Sequence, residues 1–241
     1  MYQFTDQINR ESLFVFDKRW IKNMNWAALP KASKAIFPVI AAHFNGKGLA
    51  FPSERRIAIL SGRTDKQVRE GVNGLEGFPG FKVGYYVTPR GKRAKRYHMK
   101  LPAIKKGRTF PFLRCIIYGG NWSRLTPTAR ALYPVMKYFS YFDFDMYVEE
   151  GDVDAELNEF DEIYQDRAFD FCEAEDPILA KYSGISQRSM KAARDNLEDN
   201  FLIEGNSGGT WMVFLKPPRW FKAAFLNEQI IDRYQHGKNY R

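Results

Sequence analysis

Residues 51 to 76 read FPSERRIAILSGRTDKQVREGVNGLE, and this stretch predicts two short helices joined by a tight turn. Pro52 and Ser53 are typical of a helix start, because a Ser hydroxyl caps the first free backbone N–H groups. Ser61 and Gly62 are expected to end this helix, since glycine adopts the left-handed conformation that terminates helices at low cost. The pattern is that of a helix-turn-helix, although similar turns also occur in helical pairs that only present a solvated face.

The second helix of this stretch has two distinct faces. Thr64 or Asp65 can cap it, and Val68, Val72 and Leu75 share one apolar face because they lie four and three residues apart. The opposite face carries long hydrogen-bonding side chains of the kind that read base edges in the DNA major groove. The candidate base-contacting residues of this helix and its turn are Arg63, Lys66, Gln67, Arg69 and Asn73.

Composition favours a polyanionic partner and gives no sign of catalysis. The 241 residues carry a net charge of +9, with two Cys and three His in all. These few residues offer no disulfide framework and no metal-binding spacing. The chain also lacks a phosphate-binding loop and a nucleophile elbow. We therefore expect a protein that is not an enzyme, has no cofactor or metal, and is cytoplasmic, since no signal peptide or membrane span is evident.

The segments before and after residues 51–76 are predicted to form one further helix and two strands. A helix beginning near Pro30 is expected to bury Ala35, Ile36, Val39, Ile40 and Phe44. Two strands, Phe81 to Thr88 and Lys95 to Leu101, follow the second helix and are joined by a basic turn. Three helices followed by a hairpin form a winged helix. Its wing supplies five candidate phosphate contacts, namely Arg90, Lys92, Arg93, Lys95 and Arg96.

The same order returns later in the chain. Residues 121–136 match residues 25–40 at an offset of 96, and residues 179–184 match residues 57–62 at an offset of 122. A second recognition helix is predicted from Ser186 to Glu198, with Met190, Ala193 and Leu197 facing its core. Its candidate DNA contacts are Gln187, Arg188, Lys191 and Arg194. A second hairpin, residues 201–204 and 210–215, has an uncharged turn.

We therefore predict an α+β, mainly helical fold of two tandem winged-helix domains that arose by internal duplication. The predicted divisions are an N-terminal lead-in at residues 1–24, domain one at 25–105, domain two at 106–217 and a C-terminal helix at 218–241. The change of offset places an acidic insertion at residues 143–176, with 15 acidic residues and one basic residue. The insertion is open to two interpretations: a solubilising surface segment, or a functional one that masks a basic surface or docks a basic partner.

Residues 51–76 resemble the helix-turn-helix of phage and plasmid replication proteins, which has the general form PSxxxIAxLxGxSxxTVxxxxxxLE. The tandem arrangement is similar to that of plasmid replication initiators with two winged-helix domains. This resemblance implies binding to origin repeats in double-stranded DNA and recruitment of host replication proteins. By helix position it assigns base contacts to Lys66, Gln67 and Arg69.

Three functions remain to be separated. The first is sequence-specific double-stranded DNA binding as a replication initiator, and the second is a transcriptional regulator with the same DNA chemistry. The third is a winged-helix scaffold that binds proteins, because fold does not fix function. A homodimer is a further open partner, formed for example through the C-terminal helix.

Overall fold

The computed structural model describes residues 13–100, 108–140, 169–205 and 209–214. It shows a mixed fold in which helices are accompanied by three small antiparallel sheets. The same order of elements occurs twice. In the first unit, residues 13–100, the elements are β1 (Leu13–Asp17), α1 (Lys18–Lys22), α2 (Asn25–Ala28), α3 (Lys31–Ala41), β2 (Leu49–Ala50), α4 (Glu54–Ser61), α5 (Asp65–Gly74), β3 (Phe81–Val87) and β4 (Arg93–Met99).

The second unit comprises the described residues from 108 to 214. Its elements are β5 (Thr109–Leu113), α6 (Arg114–Tyr118), α7 (Asn121–Arg124), α8 (Pro127–Phe139), β6 (Phe169–Cys172), α9 (Asp176–Ser183), a 3-10 turn (Gln187–Ser189), α10 (Met190–Glu198), β7 (Ile203–Gly205) and β8 (Trp211–Phe214). The strands and helices predicted within the described residues are confirmed, with ends that differ by a few residues.

Local capping fixes the ends of α4 and α5. The Ser53 hydroxyl accepts a hydrogen bond from the Arg56 backbone N–H at 3.2 Å, and α4 ends at Gly62 with φ of 62°. The Thr64 hydroxyl accepts from the Gln67 N–H while the Gln67 side chain accepts from the Thr64 N–H. This reciprocal capping box satisfies two N–H groups at the start of α5. The helix-turn-helix predicted from the sequence is therefore confirmed as a local structure.

Each hairpin gains a third strand from the chain that precedes the two helices. In the first unit β4 is central, and Tyr97 lies opposite both Ala50 of β2 and Val83 of β3. In the second unit β8 is central, and Val213 lies opposite Asp170 of β6 and Ile203 of β7. The two sheets thus share one topology.

A third sheet joins the two units. β1 and β5 pair antiparallel, so that Val15 lies opposite Pro111 and Phe16 opposite Phe110. Phe16 also packs against Trp26, and its ring is fully buried. Phe14, Phe16, Trp20 and Ile21, which the sequence places in a lead-in, therefore belong to the core.

Two tryptophans, one on α2 and one on α7, each bond to the central long helix of the opposite unit, α8 and α3 respectively. The Trp26 indole N–H donates to the Ala131 carbonyl at 2.9 Å, and the Trp122 indole N–H donates to the Ala35 carbonyl at 2.7 Å. Both rings are fully buried. Trp122 and Ala131 lie 96 residues beyond Trp26 and Ala35, so the two hydrogen bonds are the same contact made in both directions.

A buried cation lies at the equivalent position of the two long helices, α3 and α8. The Lys34 ammonium donates to the carbonyls of Ala27 and Ser183, both at 2.9 Å, so it connects α3 to the end of α9. Burial and the nearby charge of Lys31 lower the pKa of Lys34 to about 8. Arg130 is its counterpart on α8. Hydrogen bonds to backbone carbonyls compensate these charges, since no carboxylate pairs with either cation among the described residues.

One hydrophobic core runs through both units, because α3 and α8 contribute buried residues to the same cluster. The five residues predicted to be buried around the first central helix are all buried; they are Ala35, Ile36, Val39, Ile40 and Phe44. No helix in the described ranges is long and apolar enough to cross a membrane.

The extra residues of the second unit lie between α8 and β6. The offset between equivalent positions is 96 through Phe139 and 122 from Phe169 onward. The end of the predicted insertion, residues 169–176, therefore contributes β6 and the start of α9. The rest of the predicted insertion, residues 143–168, and the predicted C-terminal helix at 218–241 lie outside the described residues.

Candidate nucleic-acid interface

Helix α5 presents its polar face to solvent because its other face is packed closely on α3. Val68 and Val72 are buried, as predicted, and Gly71 lies against the Ala32 backbone. A Cβ on Gly71 would lie 2.9 Å from the Ala32 carbonyl oxygen, and the Ser33 hydroxyl donates to the Gly71 carbonyl. Only glycine permits this close approach.

The predicted base-contacting residues of α5 are not equally available. Lys66 and Asn73 are exposed on the outer face. Gln67 is half-buried, and its side-chain oxygen accepts the Thr64 N–H in the capping box. Arg69 is exposed but lies 3.5 Å from a carboxylate oxygen of Glu54. Lys66 and Asn73 are therefore the better placed of the four.

Glu54 joins α5 to the first hairpin, β3–β4. Its carboxylate lies 2.7 Å from the Lys95 ammonium on β4 and 3.5 Å from the Arg69 guanidinium on α5. Both pairs are partly solvated, so each contributes at most about 1 kcal/mol to stability. Their geometric effect is larger, because one carboxylate holds two basic elements side by side.

The turn of the first hairpin is built by Thr88, Gly91 and Lys92. The Thr88 N–H donates to the Lys92 carbonyl at 2.8 Å, and the Lys92 N–H donates to the Thr88 hydroxyl at 3.1 Å. Gly91 has φ of 73°, a conformation that glycine adopts readily. The exposed tip carries Arg90 and Lys92.

The five basic residues of the first hairpin do not lie on one face. Arg93 and Lys95 share a face of β4 with the buried Tyr97, and Arg96 points to the opposite face, because side chains alternate along a strand. The Arg93 guanidinium lies 3.9 Å from the centre of the Tyr85 ring, a cation–π contact. Strand alternation thus divides a charge run that is continuous in the sequence.

Arg63 lies in the turn between α4 and α5 and lines an open depression. Arg55, Ala58, Ile59, Gly62, Thr64, Asp65 and Gln67 complete its lining. Burial lowers the pKa of Arg63, and its Nε meets no hydrogen-bond partner among the residues that the structure describes. Arg55, exposed on α4 at the same depression, was not predicted from the sequence as a site residue.

Arg130 is the second basic residue near this turn. It donates from Nε to the Trp122 carbonyl at 2.9 Å and from its terminal nitrogen to the Ser123 carbonyl at 2.8 Å. Burial and the charge of Arg63 lower its pKa to about 9. The repeat contained a signal for this role, because the equivalent positions 34 and 130 both hold a basic residue directly before the apolar run of each helix.

The second unit presents a weaker basic face. Met190, Ala193 and Leu197 of α10 are buried, as predicted. Gln187 and Arg188 are exposed in the 3-10 turn that precedes α10.

The remaining cations of α10 both have partners. Lys191 is exposed and lies 2.8 Å from Asp195. Arg194, a predicted DNA contact, is largely covered: it pairs with Asp176 and its guanidinium lies over the Trp211 ring, leaving 17% of its side chain exposed. Helical spacing could not reveal this position, because Trp211 comes from the hairpin.

No group of three or more His, Cys, Asp or Glu side chains in the described ranges could hold a metal ion. Comparisons with protein-family models, with curated proteins and with solved structures gave no match to this chain.

Proposed function

We propose that this chain is a sequence-specific double-stranded DNA-binding protein of two tandem winged-helix domains that arose by internal duplication. We further propose that it acts as a replication initiator of the plasmid or phage type. The repeated element order, the shared sheet topology and the reciprocal tryptophan bonds support the duplication.

The contacts of Glu54 are the observation that carries DNA binding. They set the basic hairpin beside α5, whose outer face exposes Lys66 and Asn73. A hairpin cation is suited to phosphate oxygens and an α5 side chain to base edges, so the pair matches the division between positioning and reading contacts.

The first unit is the main DNA anchor in this proposal. Strands β7 and β8 contain no Lys or Arg, whereas β4 alone contains Arg93, Lys95 and Arg96. The second unit adds Gln187 and Arg188 as further contacts.

A salt titration of binding to random duplex DNA tests the proposal. Each phosphate contact lowers the logarithm of the association constant by about 0.9 per tenfold increase in salt. Changing Arg90, Lys92 and Arg96 to Ala should weaken binding to all sequences and reduce this slope by about 2 to 3.

The control removes equal charge elsewhere, with Lys22, Lys31 and Lys181, exposed on α1, α3 and α9, changed to Ala. A weak response to salt in the wild type, or equal losses in both variants, would contradict the proposed interface.

Replication and regulation require a separate test. If the chain is an initiator, a circular DNA that carries its gene and flanking repeats should replicate in a host, and Lys66→Ala should abolish this replication. Repression of an adjacent promoter without replication would favour the transcriptional regulator.

A protein-binding scaffold is a second candidate for the second unit. The observation that favours it is the coverage of Arg194 by Asp176 and Trp211, which reduces the basic surface of α10. A flat or undetectable response in the salt titration with random duplex DNA would support this candidate.

A further inference from the structure

The strand pairing between the two units follows a twofold operation. Val15 lies opposite Pro111, its own equivalent at an offset of 96. Phe14 lies opposite Phe112 and Phe16 opposite Phe110, so exchanging the units converts each pair into the other. Such self-complementary contacts are isologous, as in a twofold dimer, and the axis passes beside Val15.

The two tryptophan hydrogen bonds are related by the same twofold operation. Exchanging the units converts the bond from Trp26 to the Ala131 carbonyl into the bond from Trp122 to the Ala35 carbonyl. Units related by translation along the chain would not make the same contact in both directions.

The symmetry extends to the turns that precede the predicted recognition helices. An ideal Cβ on Gly62 would lie 2.5 Å from the Ser123 carbonyl oxygen, and one on Gly184 would lie 2.4 Å from the Ala27 carbonyl oxygen. Gly184 is equivalent to Gly62 at the offset of 122, and Ser123 to Ala27 at the offset of 96. Each turn is therefore held by the opposite unit in the same way.

We propose that a single chain reads two DNA half-sites in inverted orientation about this internal axis. The inference rests on the proposed function, because it specifies the DNA that the same two helices bind. Recognition helices related by a twofold axis meet the duplex so that their half-sites run in opposite directions, centred about 34 to 36 Å apart.

The site need not look like a palindrome. The residues at the start of α5 are Asp65, Lys66 and Gln67, whereas their equivalents are Gln187, Arg188 and Ser189. Different side chains read different bases, so the inverted relationship is hidden by the divergence of the two helices.

Making the two helices alike exposes the orientation. The test variant carries Gln187→Asp, Arg188→Lys, Ser189→Gln, Lys191→Arg and Asp195→Asn in the full chain. It transfers Asp65, Lys66, Gln67, Arg69 and Asn73 to the equivalent positions of the second unit. Bound sequences are then selected from random duplex DNA for the wild type and for the variant. The reverse transfer, Asp65→Gln, Lys66→Arg, Gln67→Ser, Arg69→Lys and Asn73→Asp, serves as a second variant if the first does not fold.

We expect each variant to select one half-site twice, as an inverted repeat. Reversing one half in place should weaken binding by about tenfold or more, since one good base contact contributes about 1 to 3 kcal/mol of discrimination. Selection of a direct repeat, or of a single half-site, would overturn the inverted arrangement and leave the proposed DNA binding intact. Absence of any enriched sequence for the wild type would overturn the proposed function itself.

Discussion

Trp26 and Trp122 make the same hydrogen bond in opposite directions, each from a fully buried indole N–H to a backbone carbonyl of the other unit's central helix. The two donors lie 96 residues apart in the chain, and so do the two acceptors. This relationship makes the stability of one unit depend on the other.

Trp26→Phe and Trp122→Phe should destabilise the protein by similar amounts. Each change removes an indole donor from a buried carbonyl, at a cost of about 1 to 3 kcal/mol. Urea denaturation should show one transition, shifted to a similar extent in both variants, because the core is continuous. Trp20→Phe is the matched control, since Trp20 packs against Phe37 and no indole hydrogen bond of Trp20 is found in the described residues. Two separate transitions would show that the units unfold independently.

Gly62→Ala should cost more stability than Gly91→Ala. Both glycines have left-handed φ, of 62° and 73°, so both changes carry a backbone penalty of about 1 to 2 kcal/mol. A Cβ on Gly62 would also meet the Ser123 carbonyl, whereas a Cβ on Gly91 would meet no described atom within 4 Å. The clash at Gly62 adds about 1 to 3 kcal/mol. Thermal unfolding of the two variants measures the difference. Equal losses would mean that the turn is not confined by the second unit.

Glu54→Gln should strengthen nonspecific binding to duplex DNA. The change frees Lys95 and Arg69 from their shared carboxylate, so that two more cations can meet phosphates. The salt slope should steepen by up to about 2. Glu173→Gln removes the same charge from an exposed position before α9 and serves as the control. Equal gains in both variants would mean that the change in net charge, and not the release of Lys95 and Arg69, strengthens binding.

His43 should make the protein less stable in mild acid. Burial lowers its pKa to about 4, and its Nδ1 lies 2.8 Å from the Val39 carbonyl oxygen. Its Nε2 has no hydrogen-bond partner within the described part of the chain. Because the unfolded chain takes up the proton near pH 6.5 and the folded one only near pH 4, stability falls as pH decreases through this window.

The loss should approach about 3 kcal/mol, since one pKa unit corresponds to 1.36 kcal/mol. Urea denaturation of the wild type and of His43→Gln is compared over the same pH range. The carboxylates contribute equally to both proteins and cancel in the difference. Parallel curves for wild type and variant would contradict the assignment.

Deleting residues 143–168 tests whether the insertion masks a basic surface. This segment carries 11 acidic residues and one basic residue, and the deletion spares β6, which begins at Phe169. Removing the negative field should raise affinity for random duplex at low salt, and less so at high salt. A second variant that keeps the length but changes the acids to amides should behave alike. Unchanged affinity in both variants would contradict masking and favour the interpretation that the insertion is a solubilising segment.

The sequence by itself determined the local structure of residues 51–76. Ser53, Gly62 and the Thr64–Gln67 capping box act within one turn of the chain, so their effect can be read from spacing alone. The repeat likewise indicated the second pair of helices and the hairpin that follows them.

Only the tertiary structure decided how these elements meet. The pairing of Val15 with Pro111, the coverage of Arg194 by Trp211 and the linking of Arg69 to Lys95 through Glu54 all join segments far apart in the chain. Such contacts depend on the packing of the whole core, which no local pattern encodes. Residues 51–76 therefore determine a helix pair on their own, whereas the position of the second helix pair relative to the first depends on the contacts between the two units.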